Sequence, residues 1–281
     1  MTTRGRAPWW VLPALTLGLL LSIGPFVWML LGAFKTNADL TRVTPTLLPE
    51  RWTLDNFARL FSDENVGRYF LNSTAVTVVV TLANLLFCSM AGYALAKLRF
   101  FGHRPLTGLV LATLMVPGSV TLIPLFVLMS KLGLVNSYAA VTVPFFAGAF
   151  GVFLMRQSMQ AVPDDLIKAA RIDGAGEWTI FSRIVMPQLK PALAALAVFE
   201  FLSTWNNFLW PLVVLNDQEK FTLPVAVATF AIGEYTTDYG LLMAGSVVLI
   251  APVIVLFIAL QRSFVPAIAL PAQVRTRRTR N

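Results

Sequence analysis

A chain of 281 residues that is 57% hydrophobic and only 13% charged cannot cover a soluble domain of its size, because soluble domains carry about 25% charged residues. Its net charge of +8 is compatible in sign with nucleic acid. The apolar content, and the gathering of basic residues at the ends of apolar runs, exclude that partner. One cysteine and one histidine, Cys88 and His103, exclude a disulfide within the chain and any metal site built on cysteine or histidine clusters.

Six apolar runs follow one another. The first, Trp9–Phe34, comes after Arg4 and Arg6 and exceeds the ~7–15 residues of a signal-peptide core, so it reads as a retained helix. A polar loop spans about Lys35–Arg68. The next runs are Tyr69–Ala96, Pro105–Ser130 and Leu132–Met155, and none of the first four contains Asp, Glu, Lys or Arg. The fifth, Pro191–Asn216, contains Glu200, and the sixth is Tyr239–Gln261. A bilayer core needs about 20 helical residues, which each run supplies. The expected fold is all-α: a polytopic membrane protein of six transmembrane helices forming one domain, with its core at about 69–262 and a basic tail at 263–281. Pro117, Pro124, Pro144, Pro211 and Pro252 each remove a backbone donor and predict kinks. Phe221–Ile232 is apolar but too short to cross, and reads as a re-entrant or surface-lying segment.

Basic residues mark the cytoplasmic side. Arg4, Arg6, Lys97, Arg99, Arg104, Arg156, Lys168, Arg171, Arg183, Lys190, Arg262 and the tail arginines fall on one side if both termini are cytoplasmic. Asp164, Asp165, Asp173 and Glu177 are the only acidic residues assigned there. The expected location is the cytoplasmic membrane, with tail arginines Arg275, Arg277, Arg278 and Arg280 drawn to anionic lipid.

The loop between runs four and five, about 159–190, carries the clearest local pattern. Pro163 suits a helix start, and Asp164 and Asp165 oppose the dipole of its first turn. Leu166, Ala169, Ala170 and Asp173 share one side, and Gly174 is a natural stop. A second short helix is expected to end before Pro187. Residue chemistry alone leaves two readings of this amphipathic helix: a docking surface for another protein, or a helix lying on lipid headgroups.

The stretch Lys168-Ala169-Ala170-Arg171-Ile172-Asp173-Gly174-Ala175, followed by Ile184-Val185-Met186-Pro187, resembles the Glu-Ala-Ala signature of binding-protein-dependent ATP-binding-cassette importer permeases. Ala169, Ala170, Gly174, Ile184 and Pro187 match at the family spacing. Lys168 stands where glutamate is usual and Met186 where leucine is usual, and Asp164 or Asp165 could supply the displaced negative charge. Further resemblance to the maltose-type sugar permeases comes from Asn72-Ser73, Tyr93-Ala94-Leu95-Ala96, Phe101-Gly102, Met115-Val116-Pro117, Phe153-Leu154-Met155-Arg156, Trp205-Asn206-Asn207-Phe208-Leu209-Trp210-Pro211-Leu212 and Leu223-Pro224-Val225. The tail, Val265–Pro271, departs from the family pattern. The resemblance implies a type I importer permease whose loop seats on a separate ATPase, with Asp164, Asp165, Lys168, Ala169, Ala170, Arg171, Asp173, Gly174 and Pro187 at that contact. It implies a second related permease, two ATPase subunits that bind ATP and magnesium, an external solute-binding protein and a sugar substrate. This chain itself would bind no cofactor.

Glu200 is the one acid at bilayer depth, where a charge costs about 3 kcal/mol and is usually turned to a cavity or partner. In a continuous helix Glu200, Thr204, Asn207 and Pro211 share a face near the midplane, where transporter sites lie. Glu200, Thr204, Trp205, Asn206 and Asn207 offer the carboxylate, hydroxyl, amide and aromatic groups that recognise sugars. They equally suit hydrogen bonding across helices to a second subunit. An ion-coupled carrier with Glu200 as relay is the alternative function. No G-x-x-x-x-G-K-[ST] loop or H-E-x-x-H motif occurs, so neither nucleotide hydrolysis nor zinc-dependent proteolysis is expected of this chain.

Overall fold

The computed structural model describes residues 8–44, 46–230 and 237–268, with side chains described as far as residue 259. Arg4, Arg6 and the tail arginines lie outside the described residues. The helices are α1 (Val11–Ala33), α2 (Asn37–Leu40), α3 (Asp55–Ser62), α4 (Val66–Lys97), α5 (His103–Leu114), α6 (Gly118–Lys131), α7 (Tyr138–Thr142), α8 (Ala149–Gln160), α9 (Asp164–Ile172), α10 (Glu177–Thr179), α11 (Lys190–Trp205), α12 (Leu209–Val214), α13 (Leu223–Phe230) and α14 (Tyr239–Ile268). Among the described residues five stretches are long and apolar enough to cross a bilayer: Val11–Ala33, Val66–Lys97, Tyr138–Gln160, Glu177–Trp205 and Tyr239–Ala259. The six-span expectation is met when the bent pair α5–α6 counts as one crossing.

The chain divides into two compact units, and the first comprises the described parts of Met1–Arg68 and Ala226–Pro252. Here the loop after α1 is a built structure rather than a polar tether. The last carbonyls of a helix lack intrahelical donors. The buried Asn56 side chain meets this need, its Nδ2 donating to the Ala33 oxygen at 2.9 Å and the Lys35 oxygen at 2.7 Å. Gly240 makes room for it, since a Cβ there would fall 2.4 Å from Asn56 Oδ1. Lys35 is buried, donates to the Thr46 carbonyl and holds its ammonium 4.8 Å above the Trp28 ring. Desolvated lysine is tolerated only with such partners. Arg59 closes the unit on Asp238 at 2.9 Å.

The second unit comprises the described parts of Tyr69–Val225 and Val253–Asn281. At the α9 end its core joins Cys88, Tyr93, Leu95, Met155, Met159, Ile167, Ile180 and Leu196. At the other end Val76, Val80, Met129, Val141, Trp210 and Val214 pack together. Main-chain groups around this second cluster are tied by asparagines. Asn136, at φ 62°, accepts from the Asn216 and Asp217 amides at 3.1 and 3.0 Å. Asn72 donates to the Glu219 and Phe221 carbonyls at 2.9 and 3.0 Å, and accepts from the Tyr138 hydroxyl at 2.8 Å. Ser73 accepts from the Leu223 amide at 2.7 Å.

Two of the predicted proline kinks are present, and two local expectations, for the second loop helix and for Phe221–Ile232, are narrowed. The third run is not one rod: α5 and α6 meet at 106° across Met115–Pro117, where Pro117 withholds its donor and is followed by Gly118. The fourth run is interrupted by a 3-10 turn at Val143–Phe145 around Pro144. The second loop helix does not end before Pro187. It passes through a π-helical turn, Ile180–Val185, and a 3-10 turn, Met186–Leu189, into α11. The widened turn accommodates a ring that would clash with the carbonyl four residues back in an α-helix. Finally, of the two readings of Phe221–Ile232, burial of its described part agrees with the re-entrant one and not with the surface-lying one. Its described part forms α13, with Leu223, Val225, Ala226, Val227 and Phe230 buried.

Candidate functional site

Helix α9 is a short amphipathic element with both ends secured. Pro163 sits at the cap position just before it, and Asp164 and Asp165 occupy the first turn. At its other end Gly174, at φ +81°, donates to the Arg171 oxygen at 3.1 Å while Ala175 donates to the Ala170 oxygen at 2.9 Å. This double closure is the Schellman arrangement, which requires a left-handed residue that glycine adopts without strain. Ile167 and Ala170 turn inward to the core around Met155 and Phe181. Ala170 therefore does not join Ala169 on the free side. That side carries Leu166, Ala169 and Asp173, with Ile172 86% exposed and Trp178 62% exposed.

Lys97, Asp164, Asp165, Lys168, Arg171 and Glu177 are engaged with the chain's own groups. The Lys97 side chain is 4% exposed, and its ammonium donates to Asp164 at 2.6 Å and the Val162 carbonyl at 2.7 Å. Lys168 pairs with Asp165 at 3.0 Å on the surface. Arg171 Nε donates to Glu177 Oε1 at 2.7 Å, while the Tyr93 hydroxyl donates to Glu177 Oε2 at 2.7 Å. Tyr93, Lys97 and Glu177 were not among the sequence-derived site residues. They connect α9 to α4, and their signal was weak: a carboxylate six positions after Arg171, and a tyrosine and a lysine at the end of an apolar run.

Hydrogen bonding to Lys97 holds the Asp164 carboxyl below the usual carboxylate range, and the nearby charge of that ammonium adds to the effect. A group with a depressed folded pKa stabilises above its unfolded value and loses that contribution as pH falls through the folded one. Asp164→Asn is accordingly expected to lower thermal stability at neutral pH. Melting curves of variant and parent should converge as pH falls below about 4, where a carboxylate protonates. A gap that persists unchanged at low pH would refute the charge-based account.

The polar residues of the fifth run are only partly brought together. Glu200 is half-buried and accepts from the Thr204 hydroxyl at 3.3 Å. The helix stops at Trp205, and Asn206 caps it, donating from Nδ2 to the Leu202 oxygen at 2.8 Å. The Asn207 amide bonds the Thr204 carbonyl at 3.2 Å. The continuous four-three-four face through Pro211 is thus broken at Asn206–Phe208, and Pro211 belongs to the separate, short α12. Trp205 is 2% exposed, stacked 5.7 Å from Phe201 and edge-on 5.6 Å from Phe70. Its ring is part of the packing of the second unit rather than of the polar face. Asn206 is exposed and Asn207 half-buried. Among the described residues no group of three or more His, Cys, Asp or Glu side chains is placed to hold a metal ion.

Residues 85–270 match the family described as binding-protein-dependent transport system inner membrane component. The chain belongs to this family. It is a permease subunit of an ATP-binding-cassette importer, seated in the membrane by several spans. It is 42% identical over 253 residues to the arabinooligosaccharides transport system permease protein AraQ of Halalkalibacterium halodurans, covering 89% of this chain and 90% of that protein. It is 38% identical to the lactose transport system permease protein LacG of Rhizobium radiobacter, covering 89% and 91%. Among solved structures it superposes on a chain of a bacterial transporter that imports the polysaccharide alginate, with a TM-score of 0.83 at 25% identity, covering 94% of this chain and 99% of that one.

Proposed function

We propose that this permease moves a sugar across the cytoplasmic membrane by alternating access, driven by separate ATPase subunits that dock on α9. The observation that carries the docking is the side of α9 left open. Leu166, Ala169 and Ile172, joined by Trp178, present apolar surface on a helix capped at its C-terminus and held through Lys97–Asp164 and Arg171–Glu177–Tyr93. An apolar centre with an aromatic anchor and a charged rim is the anatomy of a protein interface. In this reading Asp164, Asp165, Lys168 and Asp173 form the rim, while Ala170, Arg171, Gly174 and Pro187 fix the shape of the knob. Movement of the ATPases is passed to α4 through Glu177 and to α11 through the turns around Pro187.

The relatives named for arabinooligosaccharides and lactose support a sugar, with a short oligosaccharide as the class. Glu200, Thr204, Asn206 and Asn207 would line its path, with Trp205 holding the helix end in place. The chain acts as one permease domain with both termini cytoplasmic. Its partners are a second related permease, two ATPase subunits carrying ATP and magnesium, and an external solute-binding protein. The test is uptake in proteoliposomes holding the assembled transporter. Uptake should require internal ATP and persist when ion gradients are collapsed. Uptake driven by a proton or sodium gradient without ATP would replace this reading with the carrier in which Glu200 relays the ion.

Glu200→Gln probes the path. Loss of a charge-assisted contact to a ligand is worth about 1.5–3 kcal/mol, so uptake should fall roughly ten- to a hundredfold at limiting sugar. ATP hydrolysis and recovery of the complex should stay near normal. Equal loss of uptake and of complex recovery would assign Glu200 to subunit packing instead.

A further inference from the structure

A cleft of about 1040 Å³ opens where α4 ends, between the turn leading into α5 and the flank of α9. Its lining holds five cationic side chains, Lys97, Arg99, Arg104, Lys168 and Arg171, against one carboxylate, Asp164. Lys97 is matched by Asp164, and Lys168 and Arg171 reach carboxylates outside the lining, Asp165 and Glu177. Arg99 and Arg104 are exposed, and among the described residues neither forms an ion pair with a carboxylate, although the charge of Arg99 is felt at Asp164. Two unpaired guanidiniums at the mouth of a concave, positively charged site are suited to a phosphate, which the planar fork of arginine binds by two parallel hydrogen bonds.

The same cleft has an apolar lip. Phe100 and Phe101 line it and are both exposed. From it runs α5, which has no buried residue and exposes Leu106 and Leu109. A free phosphate has no use for that surface, whereas a molecule with an anionic head and long hydrocarbon chains satisfies both parts. Basic pockets at the ends of spans bind anionic lipid headgroups, and this one lies immediately beyond the last residue of a span.

We propose that the cleft formed by the end of α4, the turn at Phe100–Gly102 and the flank of α9 binds the phosphate of an anionic phospholipid through Arg99 and Arg104, with the acyl chains laid along α5. The bound lipid would then touch the element on which the ATPase docks, so that membrane composition bears on coupling.

The full chain, purified in neutral detergent, can be titrated with phosphatidylglycerol or phosphatidylcholine and read by native mass spectrometry. Phosphatidylglycerol should be retained in preference to phosphatidylcholine. Arg99→Gln with Arg104→Gln should weaken its retention about 25-fold, each juxtamembrane cation being worth roughly fivefold in affinity. Lys190→Gln, an exposed cation outside the cleft, should leave retention unchanged, and the charge-keeping pair Arg99→Lys with Arg104→Lys should preserve it. Equal retention of the two lipids would overturn the proposal, as would indifference to the glutamine pair or loss of lipid in the lysine pair. Displacement by millimolar inorganic phosphate would also overturn it, by assigning the cleft to free phosphate.

Discussion

Replacing Ile172 and Trp178 together with aspartate should abolish ATP-driven uptake while leaving the permease folded. Both side chains are largely exposed, at 86% and 62%, and the one packing contact at stake is that of the Trp178 ring with Phe181, 5.4 Å between centroids. Central apolar and aromatic residues of an interface typically cost about 2 kcal/mol or more each when lost. Introducing a carboxylate adds the desolvation of a charge. The pair should weaken ATPase docking by at least about a hundredfold, the combined effect of two such losses even when they are not fully additive. The measurement is recovery of ATPase with the permease after gentle extraction, set beside uptake. Loss of the Trp178–Phe181 contact, worth about 1 kcal/mol, should lower the melting temperature of the isolated permease by only a few degrees. Asp173→Asn is the matching control: Asp173 is exposed and has no ion pair among the described residues, and its loss should leave docking within a factor of about three, since exposed charges contribute under 1 kcal/mol. Normal recovery of ATPase with the double aspartate variant would move the docking site away from α9.

Gly92→Leu is the substitution expected to damage the fold most. A Cβ at Gly92 would stand 2.8 Å from Met155 Cβ and 2.9 Å from the Arg156 backbone nitrogen. The obstacle is main chain, so no rotamer change can clear it, and α4 and α8 must part. One helix turn or so along the same contact, Gly151 meets Cys88 Sγ at 2.7 Å and Asn84 Oδ1 at 2.8 Å by the same measure. Small residues at such crossings let helices approach in lipid, where packing rather than the hydrophobic effect holds them together. Overpacking costs about 1–3 kcal/mol and more where backbone is met, which for a chain of this size lowers the melting temperature by on the order of 10 °C. Gly108, with nothing within 4 Å of its would-be Cβ, accepts alanine without loss. A thermal-shift comparison of Gly92→Leu and Gly108→Ala in detergent checks both. Equal melting temperatures would mean that α4 and α8 do not make this close contact.

The spans themselves were legible because a charge-free run of some twenty residues has few other uses. The end of α9 was legible too, since Gly174 is the residue type its left-handed backbone calls for. Pro117 and Pro144 marked the breaks in the third and fourth runs, whereas the stop at Trp205 escaped. The size of the bend at Met115–Pro117, 106°, is not written in hydropathy, and Asn206-Asn207 reads as well as the polar face of a continuous helix as it does as a helix end. Periodicity across Glu200, Thr204, Asn207 and Pro211 assumed a helix that stops at Trp205. Trp205 itself carries an amphipathic ring that suits a sugar surface as well as a packed core. Its burial against Phe70 is decided by a residue more than a hundred positions away, which no local pattern reports. The Tyr93–Glu177 bond is missed for the same reason.

The bend between α5 and α6 bears on how the protein is made. The halves have 12 and 14 residues, roughly 18 and 21 Å of helix, and neither alone reaches across about 30 Å of hydrocarbon. As an uninterrupted charge-free stretch the segment is long enough to leave the translocation machinery as one straight crossing. Angled at 106° it is not, and its loosened carbonyls at Met115–Pro117 then need protein around them rather than lipid. Delivery into the membrane and arrival at the final shape are therefore separate events for this segment. Because α12 packs against α6, the bend is expected to settle only after α12 has been made, with the membrane holding the chain before its fold is finished.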